Sequence, residues 1–109
     1  MKPFKKRKRT ENESVLPGIR RVLSSAGFAT VKLHGSRHQA GLPDLACLCR
    51  SSGRFVWVEA KRPGSGRLTP AQRKRFPELE ADGWLIVVCD QPEAVLELIA
   101  NGSNWRAWL

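Results

Sequence analysis

With 109 residues and a formal net charge of +9, the chain holds enough sequence for one domain with a single core, and no repeat divides it further. Six of its nineteen Lys and Arg residues fall within residues 1–10 beside no acid, which leaves only +3 for residues 11–109. No window approaches the roughly 20 apolar residues of a spanning helix, and the basic run lacks the apolar stretch of a secretory signal.

A soluble intracellular protein is therefore expected, in the cytoplasm or nucleoid of a bacterial or phage-infected host, or in a nucleus if the host is eukaryotic. The expected organisation is a basic arm over residues 1–10 and one domain over residues 11–109. A block of like charge cannot bury apolar surface, so the arm is expected to be solvated. It fits a non-specific phosphate-binding arm, a nuclear address or a solubilising terminus.

From Val15 to Ala26 the apolar positions 15, 19, 22, 23 and 26 follow helical spacing, with Gly27 as a C-terminal stop. Pro17 is tolerated in a first turn and not in an interior, which places the start near Ser14 to Leu16. Phe28 to Leu33 alternates as a strand does, and His34 to Gly41 reads as a polar loop. Leu45 to Cys49 and Phe55 to Ala60 flank the turn Ser51-Ser52-Gly53 and predict a hairpin, its second strand apolar enough to be covered on both faces.

After the break Pro63-Gly64-Ser65-Gly66, Thr69-Pro70-Ala71-Gln72 carries an N-cap, a first-turn proline and a capping-box glutamine for a helix running to about Ala81. Trp84 to Cys89 reads as a buried strand, Pro92 to Ala100 as a helix and Trp105 to Leu109 as a candidate last strand. The elements predict an α/β sandwich, a mixed sheet of four or five strands flanked by helices. Trp57 and Trp84 read as core, whereas Trp105 and Trp108 either close the core or form a dimer patch. Cys47, Cys49 and Cys89 are odd in number and lack zinc-ligand spacing, so they read as buried free thiols.

Charge at the ends of two apolar strands is the feature that packing does not explain. Asp, Glu and Lys are almost never fully buried unless paired or bound to a metal, yet Pro43-Asp44 opens one hairpin strand and Glu59-Ala60-Lys61 closes the other. Strand periodicity puts Glu59 and Lys61 on one face, and the hairpin returns Asp44 to Glu59. Two carboxylates about 4 Å apart at an effective dielectric near 20 repel by about 4 kcal/mol, which calls for a cation. Hard oxygen donors without a histidine or thiolate cluster select Mg²⁺ or Mn²⁺.

Gly41-Leu42-Pro43-Asp44, Val58-Glu59-Ala60-Lys61, Leu68-Thr69-Pro70-Ala71-Gln72 and Gly83 before an apolar strand together closely resemble the VRR-NUC domain, a branch of the PD-(D/E)XK nuclease superfamily. The likeness spans roughly residues 11 to 95. It implies the restriction-endonuclease-like fold and phosphodiester hydrolysis with Mg²⁺ or Mn²⁺. It places the family's aspartate on Asp44, its second acid on Glu59 and its lysine on Lys61. The two acids would be metal ligands, with the Ala60 backbone carbonyl completing the shell, and Lys61 would orient the attacking water and stabilise developing charge.

The family's first-helix acid falls on Glu13, with Glu11 as the alternative, and its helix glutamine on Gln72, which a capping box also explains. Beside these, Arg62, Arg67, Arg73 and Lys74 form part of a basic band that suits DNA phosphates, and Arg37 and His38 either touch phosphate or belong to an ordinary loop. The implied activity is structure-selective endonuclease action on branched DNA, like that of Holliday junction resolvases, by a homodimer matched to the junction's two-fold symmetry. A flap or nicking nuclease and a non-catalytic DNA-binding module are the alternatives.

Overall fold

The computed structural model describes residues 15–33 and 40–109. In chain order these form α1 (Leu16–Ser25), β1 (Phe28–Lys32), β2 (Leu45–Cys49), β3 (Phe55–Ala60), α2 (Pro70–Ala81), β4 (Ile86–Cys89) and α3 (Val95–Asn101). Short 3₁₀ turns at Pro92–Ala94 and Trp105–Trp108 complete the order. The sheet has the order β1-β2-β3-β4; the first two pairings are antiparallel and β3 with β4 is parallel. This is the mixed α/β sheet expected, with four strands among the described residues.

Alternation along β3 divides the interior in two. Val56, Val58 and Ala60 face a core shared with Leu16, Ile19 and Leu23 of α1 and Val95 and Ile99 of α3. Trp57 faces the other side, where Phe76 and Leu79 of α2 close over Ile86 and Val88 of β4. Glu59 and Lys61 share the parity of Trp57, so this second layer is the one that receives the charged side chains.

Helix α1 begins at Leu16 with Pro17 in its first turn, as the sequence predicts. A Cβ on Gly18 would lie 2.7 Å from the Pro92 ring, so its glycine permits close packing on the turn before α3.

Three expectations are corrected. Trp105–Leu109 is not a fifth strand: Trp105–Trp108 is a 3₁₀ turn. The edge of β4 is satisfied instead by side chains, with Asn104 Oδ1 accepting from Val88 N at 2.7 Å, Asn104 Nδ2 donating to Val88 O at 2.9 Å and Ser103 Oγ accepting from Ile86 N at 2.9 Å. Trp84 is 38% exposed rather than core, because β4 starts two residues later and the ring packs edge-on against Phe55 and Trp57. Cys49 is only half-buried, since it ends β2 beside the exposed turn; Cys47 and Cys89 are buried free thiols.

Trp105 and Trp108 close the second core. Trp105 is buried against Phe76, and its indole N–H donates to Glu80 Oε2 at 2.9 Å. No helix of the described residues is long and apolar enough to cross a membrane.

Candidate active site

The β2–β3 ladder pairs Leu45 with Val58 and then continues through side chains. Asp44 N donates to Glu59 Oε1 at 3.0 Å, and Ala60 N donates to Asp44 Oδ2 at 2.9 Å. Each acid thus accepts a backbone N–H from the strand of the other, which holds two carboxylates together where the strands part. A single hairpin strand would not specify this exchange; it needs both ends.

The approach of the Asp44 loop depends on its neighbours. Pro43 is fully buried. Gly41 has φ +83°, and a Cβ there would sit 2.6 Å from the Ala71 carbonyl oxygen, so only glycine lets this loop rest on the backbone of α2. On the opposite side Gly66 plays a similar part, since a Cβ would meet Lys61 Cβ at 2.7 Å.

Lys61 is fixed at both ends. Its backbone N–H donates to Cys89 O at 3.0 Å, extending the β3–β4 pairing by one residue. Its ammonium lies 3.3 Å from Glu59 Oε2 and donates to Gln72 Oε1 at 2.9 Å. The same Gln72 oxygen accepts from Thr69 N at 3.0 Å, while Thr69 Oγ1 accepts from Gln72 N at 3.1 Å. Gln72 is therefore capping-box residue and hydrogen-bond partner of Lys61 at once.

Glu59 is 4% exposed, Lys61 and Gln72 are each 7% exposed, and these three are the buried polar side chains among the described residues. Burial, followed by the charge of Asp44, pushes the Glu59 carboxyl up to about 7, while hydrogen bonds from Gln72 and the charge of Lys61 pull it down. Two carboxylates against one ammonium leave a net negative charge in a desolvated pocket when all three are ionised. A hard divalent ion fits that donor chemistry. Among the described residues no group of three or more His, Cys, Asp or Glu side chains converges, so these residues offer a metal the two carboxylates of Asp44 and Glu59.

Beside Lys61 lies an open concavity of about 330 Å³ lined by Lys61, Arg62, Ser65, Gly66, Arg67 and Thr69, three cations with no acid. Arg62 and Arg67 of the anticipated DNA-contacting set meet there. Arg73 and Lys74 are exposed on α2 and do not line it. Glu13, Glu11, Arg37 and His38 lie outside the described residues. Sequence reading missed Ser65 and Gly66 as wall residues; the glycine-rich break was the available signal.

The family model for the VRR-NUC domain matches residues 10–91. A solved structure described as a VRR_NUC domain aligns with a TM-score of 0.69 and 22% sequence identity, covering 84% of this chain and 97% of its own. No curated protein matches the chain.

Proposed function

Because this chain belongs to the VRR-NUC family, whose members are nucleases of the PD-(D/E)XK type, we propose that it is a divalent-metal-dependent endonuclease selecting branched DNA, as a Holliday junction resolvase does. The observation that carries this reading is the convergence of half-buried Asp44 on buried Glu59 and Lys61, an arrangement that costs stability in the absence of a ligand.

In this reading Asp44 and Glu59, with the Ala60 carbonyl, hold Mg²⁺ or Mn²⁺, and Glu13 is an outer member of the set. The ion, when bound, supplies Lewis-acid polarisation of the phosphate and a more acidic bound water. Lys61, held by Gln72, presents its ammonium to the attacking water and to charge gathering on the phosphorus oxygens. Arg62 and Arg67 hold flanking phosphate, and Arg73 and Lys74 extend that contact along α2. Such contacts position a duplex without reading bases. The domain is residues 11–109, and the basic residues 1–10 add sequence-independent phosphate affinity.

A four-way junction offers two equivalent strands, so one small domain meets it best as a two-fold dimer. The sheet face away from α1 supports this. Val31, Leu48 and Trp84 are exposed there, on the same face of the sheet that leads to Asp44 and Glu59, and apolar surface beside a phosphate-cutting site suits protein rather than DNA.

Cleavage of labelled junction, flap, nicked and single-stranded DNA with Mg²⁺ or Mn²⁺ tests the reading. Asp44→Ala and Lys61→Ala are each expected to lower kcat by about 10³-fold or more. Undiminished cleavage by both variants rejects the site, and DNA binding by the parent without cleavage under any divalent ion favours a binding module. Preference for flaps or nicks over junctions selects the alternative nuclease.

A further inference from the structure

Gln72 Oε1 accepts from Thr69 N and Lys61 Nζ at 3.0 and 2.9 Å, so the helix cap and the buried ammonium share one acceptor atom. A carboxamide has one accepting end. Turned over, its amino group would face two donors, which the Thr69 N–H opposes before any contact with Lys61 is considered. The Thr69 hydroxyl, by accepting from Gln72 N at 3.1 Å, sets the first turn of α2 and with it the point from which the Gln72 side chain departs.

The geometry points to Thr69 as a positioning residue for Lys61, acting through the orientation of the Gln72 carboxamide. This rests on the reading of Lys61 as the residue that serves the reaction. Thr69 also lines the basic concavity at the mouth of the site, so the start of α2 sits between the surface that meets phosphate and the buried ammonium. Removing the hydroxyl frees the first turn and with it the root of the Gln72 side chain, so the carboxamide oxygen shifts from Lys61, which keeps its Glu59 contact at 3.3 Å.

Three variants separate positioning from simple helix support: Thr69→Ala loses the hydroxyl, Thr69→Ser keeps it, and Pro70→Gly weakens the exposed first turn of α2 while leaving the capping groups of Thr69 and Gln72 in place. Two measurements are made on each. The first is the ¹H–¹⁵N cross-peak of the Lys61 ammonium in the protein without metal or DNA, whose slow exchange reports its hydrogen bonds. The second is kcat and KM on whichever DNA the parent cleaves.

Thr69→Ala is expected to lose the slowly exchanging cross-peak and to lower kcat about ten-fold with KM within about two-fold. Thr69→Ser should restore both, and Pro70→Gly should leave both near the parent. An unchanged cross-peak and kcat in Thr69→Ala, or an equal loss in Pro70→Gly, overturns the inference. Should the parent cleave no DNA, the nuclease reading fails, while the cross-peak still decides whether Thr69 holds Lys61.

Discussion

Glu59 ionises near 4.5 in an unfolded chain and is pushed up to about 7 in the folded one by burial and by Asp44. Between these values the folded chain binds the extra proton, so the contribution of Glu59 is most favourable below the lower value and is lost as pH rises through the window. The expected melting temperature accordingly declines from about pH 4.5 to 7 in EDTA, and Mg²⁺ or Mn²⁺ restores part of it at pH 8 by binding the ionised pair. Glu59→Gln, which keeps an oxygen for Asp44 N, should flatten both responses in a thermal melt series. The thiols divide in a similar way: burial pushes Cys47 up to about 12 and Cys89 up to about 11, whereas hydrogen bonds from Ser51 and then Ser52 bring Cys49 down to about 7. Iodoacetamide at pH 8 is expected to alkylate Cys49 in the folded protein, with Cys47 and Cys89 reacting only after denaturation, as peptide mapping would read. Asp44, Glu59 and Lys61 stood out in the sequence because charge at an apolar strand end is unusual. The half-exposure of Cys49 did not, since its flanking residues look as apolar as those of Cys47.

Strand β4 ends the sheet among the described residues, and its outer edge is met by Asn104 and Ser103 rather than by another strand. One amide side chain supplies both an acceptor and a donor to Val88, imitating a ladder rung. Asn104→Ala leaves that buried N–H and C=O without these partners and is expected to cost about 2 kcal/mol, read as a lower urea midpoint. The hairpin, α1 and α2 were legible because alternation, helical spacing and a capping box are local signals. Trp105–Leu109 was not: two tryptophans three residues apart suit a 3₁₀ turn, but strand preference for aromatics pulls the other way, and the Glu80 acceptor that fixes Trp105 lies 25 residues earlier. The partition of β3 into two layers was foreshadowed by its continuous apolar run.

Among the described residues, the basic concavity and the exposed apolar side chains fall on different elements. The site opens toward Arg62 and Arg67, while the sheet face bearing Val31 at 59% and Leu48 at 40% exposure carries apolar side chains. If that face joins two copies, sedimentation velocity should give a dimer for the parent and a monomer for Leu48→Asp, with Asp44 and Glu59 untouched. A monomeric parent bound singly to a junction would remove coordinated resolution and leave the flap or nicking reading.

Residue order was enough to name the family, the hairpin and the acid–acid–lysine set, because those depend on spacing along a strand and on the types of side chain that metal and phosphate require. It could not show that the Glu59 carboxylate accepts from Asp44 N and the Asp44 carboxylate from Ala60 N, that one Gln72 oxygen serves both Thr69 and Lys61, or that Asn104 caps the edge of β4. Each of these joins segments 11 to 16 residues apart, or sets which end of an amide faces a donor, and only the packing of α2 and the last turn against the sheet brings such partners within hydrogen-bonding distance.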